Sequence, residues 1–138
     1  MIDVFWHVNW LAVVVASLAH FVLAGAWFAG LMAKPYLHAL GIADRPAQKP
    51  GVLFLAGPFL CSALTISTSA ILLLALGITS YSRALELGAV VGIGYLAAMT
   101  VTIAINPLFP RPLRYAAINA PFFVIGSLAS CAILVAMS

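Results

Sequence analysis

The sequence predicts an all-α integral membrane protein: four transmembrane helices in two antiparallel hairpins, with both termini on the non-cytoplasmic side. Three observations carry that prediction. Only 7% of residues are charged against 65% hydrophobic, and the mean hydropathy is +1.19. A soluble domain needs about a quarter of its residues charged to cover its surface, so this surface belongs in lipid. Uncharged runs of membrane-crossing length recur, the clearest being Leu87–Pro110 (24 residues) and Tyr115–Met137 (23 residues). Between them lies Asn106–Tyr115, where Pro107, Pro110 and Pro112 fall within six residues beside Arg111 and Arg114. Each of these prolines lacks an amide proton and clashes with the preceding turn, so the stretch reads as a tight basic turn between two spans.

The elements follow in order within a single domain, residues 1–138. The first span covers about residues 9–32, with Trp6 and Trp10 at one end and Trp27 and Phe28 towards the other, as an interfacial aromatic belt requires. At ~1.5 Å per residue it reaches ~36 Å, enough to cross with some tilt. Ala24-Gly25-Ala26 resembles a signal-peptidase site. Met1–Asn9, however, carries Asp3 and no Lys or Arg, the wrong charge for a signal peptide, so the segment is expected to remain as a helix. A polar loop, Ala33–Gly51, follows, in which Pro35–Leu40 forms a short interfacial helical turn. The second span covers residues 52–76 and contains Pro58. The third covers 85–105, with Glu86 at its mouth paired to Arg83. The fourth covers 115–137.

Loops one and three lie on one face and hold Lys34, Arg45, Lys49, Arg111 and Arg114; the other face has Arg83 alone. Five against one is a positive-inside bias that places those loops in the cytoplasm and both termini outside, in a bacterial inner membrane. Six basic residues spread over loops make no stripe for nucleic acid. Cys61 and Cys131 sit in apolar segments without ligand spacing and read as small hydrophobes.

Each helix has a face of polar and small residues at helical spacing. These are Ser17, His20, Ala24 and Trp27 in the first span, and Ser62, Thr65 and Ser69 in the second. The third has Tyr95, Thr102 and Asn106, with Gly88 and Gly92 as a small-xxx-small pair; the fourth has Asn119, Gly126 and Ser130. Turned inward, such faces serve as packing seams, with hydroxyls bonding between helices. Lining a path, they serve a solute.

His20 lies near mid-span, where an ionisable group is a functional candidate by default. It would bind a cofactor only with partners, since His7 is ~20 Å away along the axis and His38 is in a loop. No metal-ligand cluster, carboxylate pair, nucleophile triad or phosphate loop is present, so an enzyme is the weakest class. Pro58 and Pro121 leave the Phe54 and Ala117 carbonyls without a backbone partner and bend their helices. Gly57-Pro58-Phe59 and Ala120-Pro121-Phe122 hint at a parallel repeat of the two hairpins, each after a basic-proline pair, Lys49-Pro50 and Arg111-Pro112.

Asn9-Trp10-Leu11-Ala12, Gly25-Ala26-Trp27-Phe28 and the run from Arg111-Pro112-Leu113 to Ile118-Asn119-Ala120 together resemble the small bacterial four-helix membrane proteins of domain-of-unknown-function family 1761. The resemblance covers nearly the whole chain and implies the four-span topology, with no activity, cofactor or catalytic residue to carry over. It also implies a small or apolar residue at the position of His20, so a role for that histidine would be particular to this chain.

Three functional readings follow. The first is a non-catalytic accessory or assembly subunit, or a self-associating bundle, packed through faces such as Gly88/Gly92. Its partners would be membrane lipids and other subunits or copies of itself, because so small a bundle has scant room to enclose a solute. The second is an oligomeric small-solute transporter or channel lined by Ser62, Thr65, Thr102, Asn106 and Asn119. The third is a pigment- or haem-contacting subunit acting through His20. The cofactor, if any, is left open.

Overall fold

The computed structural model describes residues 2–46, 49 and 51–138; Pro50, half of one predicted basic-proline pair, lies outside them. Every regular element among the described residues is helical. Four helices are long and apolar enough to cross a membrane: Trp10–Leu31, Val52–Ala75, Tyr81–Ala104 and Pro112–Ala136. A short turn, Ile2–Phe5, precedes the first, and an eight-residue helix, Ala33–Leu40, follows it.

Asn9 sets the start of the first span. Its side-chain oxygen accepts from the Ala12 amide at 3.1 Å, while its side-chain nitrogen donates to the Met137 carbonyl at 2.7 Å. One residue thus caps a helix and ties the beginning of the first span to the end of the fourth. Two spans begin earlier than their uncharged cores suggest. The third takes in Arg83 and Glu86, both exposed on its first turns, and no ion pair joins them. Long side chains at a helix end reach the interface without help. The fourth starts at Pro112, where the missing amide would have had no partner anyway and the fixed φ suits a first helical turn.

Both basic connections meet at the opposite end of the molecule. Arg111 donates through Nη1 to the His38 carbonyl at 2.7 Å. The rings of Tyr36 and Tyr115 lie 5.9 Å apart, and Phe109 closes on Tyr115 at 4.6 Å. Gly41 ends the Ala33–Leu40 helix in the left-handed region (φ 69°), and any Cβ there would stand 2.9 Å from Pro110 Cγ. The position therefore requires glycine twice over, for conformation and for contact.

The fourth span is the hub. Half of its apolar window is buried, against 22–28% for the other three. The first span packs on the second and the fourth, while the third rests almost wholly on the fourth and scarcely touches the second. The bundle is therefore open along one side. Two spans also depart from α-helical winding. Gly25–Leu31 and Gly92–Ala97 are π-helical, and the Met32 amide donates to the Trp27 carbonyl five residues back at 2.7 Å.

Gly88 and Gly92 lie where the third and fourth spans come closest. A Cβ on Gly88 would stand 3.1 Å from the Leu128 Cα, and one on Gly92 would stand 3.0 Å from the Val124 Cα. This face is used up within the chain, so it is not the free surface for self-association that the sequence suggested. With Ala84, Thr100 and Ala104 it forms a buried ridge of small residues.

Candidate functional site: a lateral cleft around His20

Where the second and third spans fail to meet, a cavity of about 440 Å³ opens against the first and fourth. That volume lies in the range of small-molecule sites, and it overturns the expectation that so small a bundle has no room for one. The cavity runs along the second span from Phe54 to Ser69, fifteen residues or ~22 Å.

The cavity has two chemical zones. Towards the basic connections its walls are aromatic, with Phe28, Tyr36, Phe54, Phe59 and Phe122 contributing rings. Several of these brace one another, Phe28 on Phe122 at 4.9 Å and Phe21 on Phe59 at 5.6 Å, in edge-to-face pairs. Tyr36 belongs to the Ala33–Leu40 helix, outside the spans, and its phenol is pushed up to about 12 by burial and by the neighbouring Tyr115. Further in, the walls carry hydroxyls from Ser62, Thr65, Ser69, Ser127 and Ser130.

His20 stands between the two zones. Its imidazole lies over Gly126, where any Cβ would collide with the ring, and edge-on to Phe122 at 5.1 Å. Gly126 is thus small because a histidine from another helix occupies the space. Nδ1 is sealed against the Gly126 backbone, so it is the rest of the ring that can meet the cavity. Thr65 and Ser69 donate to carbonyls of their own helix, at Cys61 (3.1 Å) and Thr65 (3.1 Å). The hydroxyls of Ser62, Ser127 and Ser130 find no protein partner among the described residues. Polar groups are costly at membrane depth, and here three such hydroxyls line the same cavity as the His20 ring.

The predicted polar seam is therefore only partly assembled. His20, Ser62, Thr65, Ser69, Gly126 and Ser130 line the cavity. Ser17 is buried beside it and donates to the Val13 carbonyl at 2.7 Å; Asn119 is buried and donates to the Tyr115 carbonyl at 2.8 Å. Tyr95 is 71% exposed, and Thr102 and Asn106 also face outward. Thr102 bonds back to the Ala98 carbonyl, and Asn106 accepts from the Leu108 amide to shape the proline turn. These three do not join the others in a solute path. The π segment explains the error, because it gives the third span a buried face that repeats every four residues (84, 88, 92, then 100, 104) instead of every 3.6.

Trp27 is likewise no interfacial anchor. It turns inward and donates through Nε1 to the Ile118 carbonyl at 3.1 Å, beside the Ala117 carbonyl that Pro121 deprives of its partner. Ser127 and the aromatic wall escaped the sequence reading. Ser127 sits eight residues after Asn119, on the same helical face, and that spacing was its available signal.

The family model "Protein of unknown function (DUF1761)" matches residues 11–135. The chain belongs to this family. No curated protein and no solved structure matches the chain. The DUF1761 description carries no chemistry, so the cleft has to be read from its own residues. No charged side chain lines it, and the described residues hold no cluster of His, Cys, Asp and Glu that would bind a metal. Haem carboxylates would have no cation to meet there, and His20 would be a lone axial ligand.

Proposed function

We propose that this DUF1761 member is a non-catalytic, multi-pass protein of the bacterial inner membrane that holds a small hydrophobic molecule in its lateral cleft. In that reading it acts as a binding or accessory subunit of a larger membrane process. One observation carries it: a ligand-sized cavity, open to the lipid between the second and third spans, lined by the His20 ring and by serine hydroxyls of two further helices. The meeting of the two basic connections, and of the first span's start with the fourth span's end, supports two antiparallel hairpins. The excess of Lys and Arg in loops one and three favours a cytoplasmic location for them, with both termini outside.

The outward placement of Tyr95, Thr102 and Asn106 speaks against a continuous polar conduit through one copy. The test is native mass spectrometry of protein extracted gently from its own membranes. The expected result is a mass above the 14.5 kDa chain by one small apolar molecule, lost on replacing Ser127 and Ser130 by Leu to fill the cleft. A second polypeptide in the same spectrum would identify the accessory partner. Protein that emerges bare under every mild condition, and unchanged by the filling substitutions, would defeat the reading.

A further inference from the structure

We infer that the occupant of the cleft is an uncharged lipid that carries its carbonyl or hydroxyl oxygens on a flat ring, as an isoprenoid quinone or quinol does. This rests on the ligand-holding function proposed above and names the class of molecule held. Three features of the cavity narrow the choice.

The first is depth. His20 is eleven residues into a 22-residue span, so its ring lies near the middle of the membrane. An ordinary phospholipid presents only methylene groups at that level and keeps its oxygens at the interface. It would bring no oxygen to the hydroxyls of Ser62, Ser127 and Ser130 or to the His20 ring in the cavity wall. A molecule whose polar atoms travel inside the bilayer satisfies them.

The second is charge. The lining holds no Asp, Glu, Lys or Arg to balance an ion. A charged group in this apolar slot would be unpaired and strongly disfavoured. The occupant is therefore neutral. Serine hydroxyls and a neutral imidazole each offer a donor, so what they need from it is acceptor oxygen.

The third is shape. The slot is long, and aromatic rings flank it on one side of His20. Phe122 is held edge-on by both His20 (5.1 Å) and Phe28 (4.9 Å), which gives a fixed wall against which a flat ring can pack. The remaining length suits a hydrocarbon tail leaving through the gap between the second and third spans.

The experiment uses the full chain in phosphatidylglycerol nanodiscs, with equilibrium binding of decyl-benzoquinone measured above the partitioning into protein-free nanodiscs. Decylbenzene, which differs in lacking the ring oxygens, is the paired probe. The expected result is saturable binding of the quinone, at least about tenfold tighter than decylbenzene, since two hydrogen bonds at an apolar site distinguish them. His20→Phe keeps the ring volume and should weaken the quinone about tenfold while leaving decylbenzene unchanged. Ser127→Ala, a smaller change less able to disturb folding, should weaken it about threefold.

Equal binding of both probes, indifferent to His20→Phe and Ser127→Ala, would overturn the ligand class and leave the cleft as a general hydrocarbon site. Saturable binding of neither, with the fold intact by circular dichroism, would overturn the ligand class and the holding function together.

Discussion

Replacing Gly88 by Ala tests the packing of the third span, whose place in the bundle depends on the fourth alone. The new methyl would stand 3.1 Å from the Leu128 Cα, 3.2 Å from the Ser127 carbonyl oxygen and 3.4 Å from the Cys131 Cβ. Two of those neighbours are backbone and cannot swing aside. Comfortable carbon contacts begin near ~3.5 Å, so the two helices must separate by several tenths of an ångström along the whole ridge. Overpacking of this kind costs about 1–3 kcal/mol, whereas exchanging Gly for Ala within a helix returns about 1 kcal/mol. The net expectation is a loss of about 1 kcal/mol for Gly88→Ala. Adding Gly92→Ala, which meets the Val124 Cα at 3.0 Å, should increase the loss. Gly94 is the control, because nothing lies within 4 Å of its missing Cβ. Gly94→Ala should be neutral or stabilising by up to about 1 kcal/mol. Reversible unfolding in mixed micelles with rising dodecyl sulfate, followed by tryptophan fluorescence, reads all four proteins. Equal stability of Gly88→Ala and Gly94→Ala would refute the close approach of these two helices.

Other substitutions probe separate joints. Asn9→Ala removes both a helix cap and the bond to the Met137 carbonyl, and should cost about 2 kcal/mol in the same assay. Gly41→Ala forces a left-handed residue against Pro110, and should cost about 1–2 kcal/mol and increase protease cutting at the two basic connections. Tyr36, with its phenol raised to about 12 from an ordinary 10, gives a stability contribution that is complete below pH 10 and lost as pH climbs through 12. Ultraviolet difference spectra should show a tyrosinate component that appears only near pH 12, and Tyr36→Phe should remove it. Trp27→Phe should cost about 1 kcal/mol by removing the indole bond to the Ile118 carbonyl, which ties the first span to the fourth beside the proline break.

How much of this was legible depends on the range of the interaction concerned. Four spans could be read because lipid imposes a simple demand, about twenty apolar residues without charge, that each segment meets on its own. A helical turn over Pro35–Leu40 and the close packing of Gly88 and Gly92 were legible from local pattern, but not that the helix starts at Ala33 or that the glycines meet the fourth span of the same chain. The polar face of the third span was not. Reading Tyr95, Thr102 and Asn106 as one stripe assumes 3.6 residues per turn throughout, and the π segment at Gly92–Ala97 breaks that assumption without a signal in composition. Trp27 could be read either as an interfacial anchor or as part of the inward face with Ser17, His20 and Ala24, and only the tertiary fold, which puts a carbonyl within its reach, decides for the second. The cleft itself was invisible, since it arises from two helices that fail to touch.

The irregular stretches of backbone are distributed around that cleft. Gly25 and Phe28 belong to one π segment and Leu96 to the other, and all three line the cavity, as does Pro58, while Pro121 immediately precedes the lining residue Phe122. All four spans thus depart from a regular helix near the same space. In hydrocarbon a backbone with missing or lengthened hydrogen bonds persists only where protein or a cavity shelters it. A bundle selected for packing alone has no use for four such departures, because straight helices with interlocking side chains would close more tightly. π-helical insertions in particular tend to sit at functional sites, and these two let Phe28 and Leu96 enter a space that regular winding would direct elsewhere. The cost of irregular winding, and of leaving three serine hydroxyls unpaired beside His20, is borne at one place in the molecule. That concentration is what distinguishes a built site from a gap between poorly fitting helices.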